Sequence, residues 1–125
     1  MADDGQLEGR LEDFEQPYES PEHRQIGRLL DYCGIPFLYR QPVLVHDGRA
    51  YRNMQPAFLL PSHNGTIVEY LSDPESVPDL QEIWRRETTY RLNAVTAAFV
   101  YPHDLDEPGR VLTKIAKAYR NVDST

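Results

Sequence analysis

A single carboxylate interrupts an apolar β-type run in the middle of the chain. Glu69 lies within residues 66–71, where its neighbours are Ile67, Val68, Tyr70 and Leu71. Burying a carboxylate is costly unless it is paired with a cation, hydrogen-bonded or bound to a metal. Two uses of Glu69 stay open from its position alone. One is a metal or phosphate site; the other is a structural pair with Arg52, Arg86 or a backbone cap.

A second acid and a group of arginines could complete such a site. Glu22 follows a Ser-Pro pair at the start of a predicted helix, where a negative charge also suits the positive helix end. The cations of the second predicted helix are Arg85, Arg86 and Arg91. Helical arginines can contact phosphates or pair with acids three or four residues away, so both readings stay open.

The charge is distributed unevenly along the chain. The formal net charge is −7, and residues 1–22 alone hold eight acids against one base. We therefore predict an acidic flexible tail over residues 1–19 and a folded domain over residues 20–125. The domain itself is close to neutral, which neither supports nor excludes a basic face for nucleic acid.

Cysteine usage and hydropathy exclude several classes. One cysteine, Cys33, permits no internal disulfide and no multi-cysteine zinc site, and its apolar neighbours predict a small core residue. The apolar runs are far shorter than a membrane span, and the acidic N-terminus lacks the apolar segment of a secretory signal. We expect no membrane partner and a reducing, cytoplasmic location.

The pattern of apolar residues predicts the elements that must position Glu69. A helix is expected from Ser20 to Cys33, and Gly34 ends it. Three strands follow, within 35–45, 50–60 and 66–71, with a left-handed turn at Asn64-Gly65 before the third. The first strand is expected to break or bulge near Pro42, and the second to be interrupted near residues 53–56. A helix over 77–93, a buried strand over 94–101 and a last helix over about 110–119 complete the chain.

The same pattern predicts which side chains of the two later helices point inward. On the middle helix these are Leu80, Ile83, Trp84 and Tyr90. On the last helix they are Val111, Leu112, Ile115 and Ala116, with Lys114 facing solvent. The order is helix, three strands, helix, strand, helix, which predicts an α/β fold.

Several short sequence motifs follow one another between about residue 20 and residue 120. They are Ser20-Pro21-Glu22, Gly34-Ile35-Pro36-Phe37, Tyr51-Arg52, Pro56-Ala57-Phe58, Val68-Glu69-Tyr70, Tyr90, and Tyr101-Pro102-His103-Asp104-Leu105. The series resembles the PD-(D/E)xK nuclease-like superfamily. This resemblance implies a restriction endonuclease-like core in the order α-β-β-β-α-β-α, with a mixed sheet flanked by helices.

The resemblance also implies a metal chemistry that this chain departs from. In that superfamily a strand Asp and an acid on the next strand bind Mg²⁺, often with a helix-1 Glu, and a Lys orients the attacking water. Ala57 stands at the Asp position and Leu71 at the Lys position. Glu69 and Glu22 remain as metal ligands, and Arg86 is the candidate replacement for the lysine, although arginine stays charged and transfers protons poorly.

These departures predict a catalytically degenerate nuclease-like domain that serves as a binding or assembly module. It would contact DNA or RNA through Arg52, Arg85, Arg86 and Arg91, with no cofactor or with weakly bound Mg²⁺ or Mn²⁺. A first alternative is a metal-dependent nuclease with a rearranged site of Glu22, Glu69 and Arg86. A second is a protein-interaction module that forms a homodimer through tyrosine-rich sheet edges.

Overall fold

The computed structural model describes residues 16–121. Most of the expected acidic tail, residues 1–15, lies outside the described residues. Two residues assigned to that tail contact the domain: the Tyr18 ring packs 4.9 Å from the Tyr39 ring, and Glu19 pairs with Arg40 at 3.2 Å. The ordered contacts therefore begin before Ser20.

The first helix, α1, spans Pro21–Tyr32. Its start follows the predicted cap, because the Ser20 side chain accepts the His23 N–H at 3.1 Å. Gly34 follows the helix at φ 69°, a conformation that L side chains rarely adopt. The prediction for Cys33 was wrong: its side chain is exposed, and the residue is the C-cap that follows the last helical residue, Tyr32.

Six strands form two separate sheets within the described residues. They are β1 Leu38–Tyr39, β2 Val43–His46, β3 Tyr51–Met54, β4 Phe58–Leu60, β5 Thr66–Tyr70 and β6 Ala97–Val100. The main sheet has the order β1-β4-β5-β6, and β2 and β3 form a hairpin of their own. The first two strands expected from the sequence are thus each split in two, close to Pro42 and Pro56, since proline cannot donate to a ladder.

The second helix, α2, spans Val77–Leu92 and carries the chain from β5 to β6. These two strands pair in parallel, with Glu69 opposite Phe99, whereas β1, β4 and β5 pair antiparallel. The third helix, α3, spans Pro108–Asn121. The described chain is therefore a mixed α/β domain with three helices and a mixed sheet. None of these helices is long and apolar enough to cross a lipid bilayer.

The main sheet is covered on both faces. On one face α1 and α3 bury Ile26, Leu30, Val111 and Ile115 against the side chains of β4, β5 and β6. On the other face lies Tyr90 of α2, 1% exposed and 6.4 Å ring to ring from Phe99.

The inward face of α2 differs from the predicted one. Leu80 and Trp84 are 54% and 66% exposed, so both predictions were wrong, whereas Tyr90 is buried as expected and Ile83 is half-buried. The inward stripe runs through Ile83, Arg86 and Tyr90, which are three and four residues apart. Apolar character alone therefore identified only part of the inward face of this helix.

Candidate functional site

The two acid positions of the resembled motif lie next to each other. Phe58 pairs with Val68 across β4 and β5, which brings the preceding residue, Ala57, beside Glu69. The Ala57 N–H donates to Glu69 Oε1 at 3.3 Å. Both residues are buried, at 2% and 5% exposure. The juxtaposition is the one the motif requires, but a methyl group stands where the first carboxylate belongs.

Two side chains of α2 complete the surroundings of Glu69. Arg86 Nη1 and Tyr90 Oη both donate to Glu69 Oε2, at 2.7 and 2.6 Å. Burial, followed by the adjacent Glu69 charge, raises the pKa of Tyr90, so its hydroxyl keeps the proton that it donates. We call Ala57, Glu69, Arg86 and Tyr90 the Glu69 cluster. The structural use of Glu69 is filled here by Arg86 and a backbone amide, while Arg52 pairs with Asp47 instead.

The other predicted members of the metal site do not join this cluster. Glu22 lies on α1, which packs on the opposite face of the sheet, and its Oε2 is buried without a hydrogen-bond partner. Leu71 continues the strand ladder, since its N–H donates to the Val100 carbonyl at 2.9 Å. Within residues 16–121 no three His, Cys, Asp or Glu side chains come close enough to hold a metal ion together.

An open cleft of about 1090 Å³ lies between the β2–β3 hairpin and α2. Its arginines are Arg40, Arg49, Arg52, Arg85 and Arg86, and its acids are Asp47 and Glu82. We call this the arginine cleft. Three of the four predicted nucleic-acid contacts line it; Arg91 does not, and pairs with Glu87 at 3.4 Å. The sequence reasoning missed Arg40, which precedes β2, and Arg49, which lies in the turn between β2 and β3.

Exposed ion pairs occupy most of these guanidinium groups. Arg85 pairs with Glu82 at 2.7 Å, and Arg40 pairs with Glu19 at 3.2 Å. Arg49 makes no ion pair with any residue from 16 to 121. Surface pairs of this kind are worth about 0–1 kcal/mol, so an incoming anion can replace the acid at little cost. Glu19 and Glu69 pair with two of these arginines from outside the lining, so the five guanidinium groups meet four acids, and the small excess of positive charge lies at Arg49.

The hairpin is held against α2 by one amide side chain. Asn93 Oδ1 accepts the His46 N–H at 2.9 Å, and Asn93 Nδ2 donates to the His46 carbonyl at 2.9 Å. The same Nδ2 donates to the Thr89 carbonyl at 2.7 Å. Asn93 thus joins β2 to the helix end as a backbone segment would. Its position at the C-cap was visible in the sequence, but its partner was not.

Trp84 and Leu92 form the apolar part of the cleft wall. They are 66% and 63% exposed, and both line the cleft from α2. Large apolar side chains in a recess mark a contact surface more often than isolated ones elsewhere do.

A second buried ion pair stands apart from the cleft. Lys114 Nζ donates to Asp104 Oδ2 at 2.7 Å and to the Phe99 carbonyl at 2.9 Å, so the prediction that Lys114 faces solvent was wrong. The carboxylate also accepts the Tyr101 N–H at 2.9 Å. Burial acts to raise the pKa of Asp104, but Lys114 and this amide outweigh it and lower the pKa. The pair joins α3 to the end of β6, which is a structural task.

Searches of protein-family models, curated proteins and solved structures give no match to this chain.

Proposed function

We propose that this chain is a catalytically degenerate nuclease-like domain that binds nucleic acid through the arginine cleft. The main support for this proposal is the lining of the cleft, which includes five arginines and one exposed tryptophan, Trp84. Phosphate contacts by arginine supply most sequence-independent affinity for nucleic acid. A restriction endonuclease-like core is part of this proposal, and the adjacency of positions 57 and 69 supports it.

The state of Glu69 supports the loss of catalysis. Its two oxygens accept three hydrogen bonds from Ala57, Arg86 and Tyr90. A metal ion would have to displace those donors and would find no second carboxylate at position 57. The rearranged nuclease, with Glu22, Glu69 and Arg86 around one metal, is less favoured because only the last two meet.

A homodimer through the sheet edges is also less favoured. Of the two edge strands of the main sheet, β1 has only two residues, Leu38 and Tyr39, and offers few free backbone groups to a partner, and β6, Ala97–Val100, carries no tyrosine. Clefts that carry charge and an aromatic ring fit a polyanion better than a second sheet edge.

The test is fluorescence anisotropy of labelled oligonucleotides, single-stranded and duplex, at several salt concentrations. We expect binding that weakens as salt rises, and a decrease of about tenfold or more for the double variant Arg49→Ala, Arg85→Ala. The matched control removes two exposed cations far from the cleft, Arg110→Ala and Lys117→Ala, and should bind like the unaltered protein.

Two results would contradict the proposal. The first is no salt-dependent binding of either oligonucleotide, or equal losses in the cleft variant and the control. The second is cleavage of DNA or RNA in Mg²⁺ or Mn²⁺ that Glu69→Ala abolishes, which would establish the rearranged nuclease instead.

A further inference from the structure

Trp84 is the only tryptophan of the chain, and it lies two-thirds exposed on the wall of the arginine cleft. A helix that packs on a sheet buries its large apolar side chains first, because each buried aromatic ring contributes substantial stability. Here Arg86 and Tyr90 take the inward positions to meet Glu69, and Trp84 is left outside. The exposed ring therefore presents a flat apolar surface to whatever enters the cleft.

The groups around the ring define what that ligand must carry. Arg85 follows Trp84 on the helix, and Arg49 and Arg52 extend from the hairpin on the other side. A ligand that fits needs an apolar planar group for the ring and negative charge for the guanidinium groups. Nucleic acid supplies both, as bases and phosphates.

Strand type follows from which surfaces of the bases are free. In a duplex the faces of the bases are covered by the neighbouring pairs, so a side chain cannot stack on them without breaking the stack. In a single strand the faces are open, and stacking on aromatic side chains is tolerant of sequence.

Asp47 keeps its charge under ordinary conditions. The backbone amides of Ala50 and Arg49 donate to its Oδ1, and these bonds and Arg52 lower its pKa. The negative charge on the hairpin rim is therefore a fixed feature of the cleft at neutral pH.

We propose that the arginine cleft binds single-stranded nucleic acid, with a base stacked on Trp84 and the flanking phosphates held by Arg49, Arg52 and Arg85. This inference rests on the proposed function and adds the strand type and the stacking residue.

The experiment uses the intrinsic fluorescence of Trp84, which needs no label because the chain has no other tryptophan. An oligothymidylate of about 16 nucleotides and a duplex of the same length are titrated into the unaltered protein. We expect saturable quenching by the single strand at a Kd at least about tenfold lower than that for the duplex.

Variants are then compared by anisotropy with a labelled single strand. Trp84→Ala should weaken binding about 5- to 100-fold, the range for loss of one stacked base, and Trp84→Phe should retain most of the affinity. Tyr32→Ala removes an aromatic side chain that is 90% exposed on α1, and it should leave the affinity unchanged. Thermal unfolding of all three variants shows whether each is folded.

The possible failures are distinguishable. If the duplex binds as tightly as the single strand, or the single strand binds without quenching Trp84, the inference is wrong while the proposed function stands. If neither oligonucleotide binds, both are wrong. If sedimentation shows a dimer that Trp84→Ala dissociates, a second copy occupies the cleft wall and the inference is likewise wrong.

Discussion

Arg86 borders two regions of opposite character, the Glu69 cluster and the arginine cleft. In the cluster, one buried carboxylate accepts bonds from an amide, a guanidinium and a hydroxyl. In the cleft, exposed guanidinium groups meet acids through pairs that cost little to exchange. The difference lies in solvation: the Glu69 carboxylate is buried and depends on its donors, although Arg86 itself is 35% exposed, whereas an exposed pair can open for a ligand. The bonds of the Glu69 cluster therefore contribute to stability, whereas those of the cleft can be exchanged at little cost.

The largest expected effect is a loss of stability when the Glu69 cluster is disrupted. Glu69→Ala should lower the free energy of unfolding by about 2–3 kcal/mol, because the buried Ala57 N–H and Tyr90 hydroxyl lose their acceptor. Arg86 is 35% exposed and keeps Glu82 at 3.7 Å, so it adds little to the loss. Tyr90→Phe, which removes one donor, should cost about 1–2 kcal/mol. Urea denaturation measures both.

The control for this prediction is an exposed pair on the same helix. Glu87→Ala removes the partner of Arg91 and should change stability by less than about 1 kcal/mol. Equal losses for Glu69→Ala and Glu87→Ala would mean that the Glu69 cluster contributes no more than a surface pair.

A second prediction concerns position 57, where the resembled nuclease motif would have an aspartate and this chain has alanine. Ala57→Asp places an acid beside Glu69 in a buried site, so we expect a loss of at least about 2 kcal/mol at neutral pH. Burial and Glu69 should raise the pKa of the new carboxyl in the folded state. A raised folded pKa means that the penalty is present above the unfolded pKa, about 3.9, and shrinks as the pH falls towards it.

If the proposed relationship to metal-dependent nucleases is right, a divalent metal ion should restore the stability that Ala57→Asp loses. Mn²⁺ at millimolar concentration is expected to raise the Tm of Ala57→Asp and to leave the Tm of Ala57→Asn unchanged. Indifference of both variants to Mn²⁺ would count against the relationship to metal-dependent nucleases, since the two positions would then be adjacent without being able to share an ion.

A third and smaller effect is expected at the arginine cleft, where the β2–β3 hairpin docks against α2. Asn93→Ala removes the two bonds that join His46 of the hairpin to the end of α2, so the hairpin should open more often while the main sheet stays intact. We expect amide exchange at His46 to accelerate about tenfold or more, with little change at Val68. Asn64→Gly, at a left-handed loop position with φ 56°, is the control and should leave both rates unchanged. Uniform acceleration at both amides would mean that the hairpin and the sheet open as one unit.

Local patterns were enough to predict the elements around the site. Ser20 and Gly34 bound α1 through capping chemistry that operates within a few residues, and proline interruptions placed the breaks between strands. Local patterns could not predict which face of α2 packs against the main sheet. Trp84 is more apolar than Arg86, yet Arg86 turns inward because a buried Glu69 requires a cation, and that requirement comes from a strand 17 residues earlier.

The candidate site was also predictable only in part. The pairing of Glu69 with Arg86 was among the open alternatives because a buried acid has few possible partners. Arg40 and Arg49 were missed because their approach to α2 depends on where the hairpin docks. The bond between His46 and Asn93 spans 47 residues, and no local pattern reports it.

That span also has a consequence for the order of folding. The β2–β3 hairpin closes over a short stretch of chain, and such local contacts form early. Its docking against α2 must wait until Asn93 has been made and the helix has formed, since closing a long loop is entropically costly. We therefore expect the arginine cleft to assemble only after synthesis has passed the end of α2. Until then the hairpin and the helix carry its two halves separately, and the growing chain cannot yet hold a ligand between them.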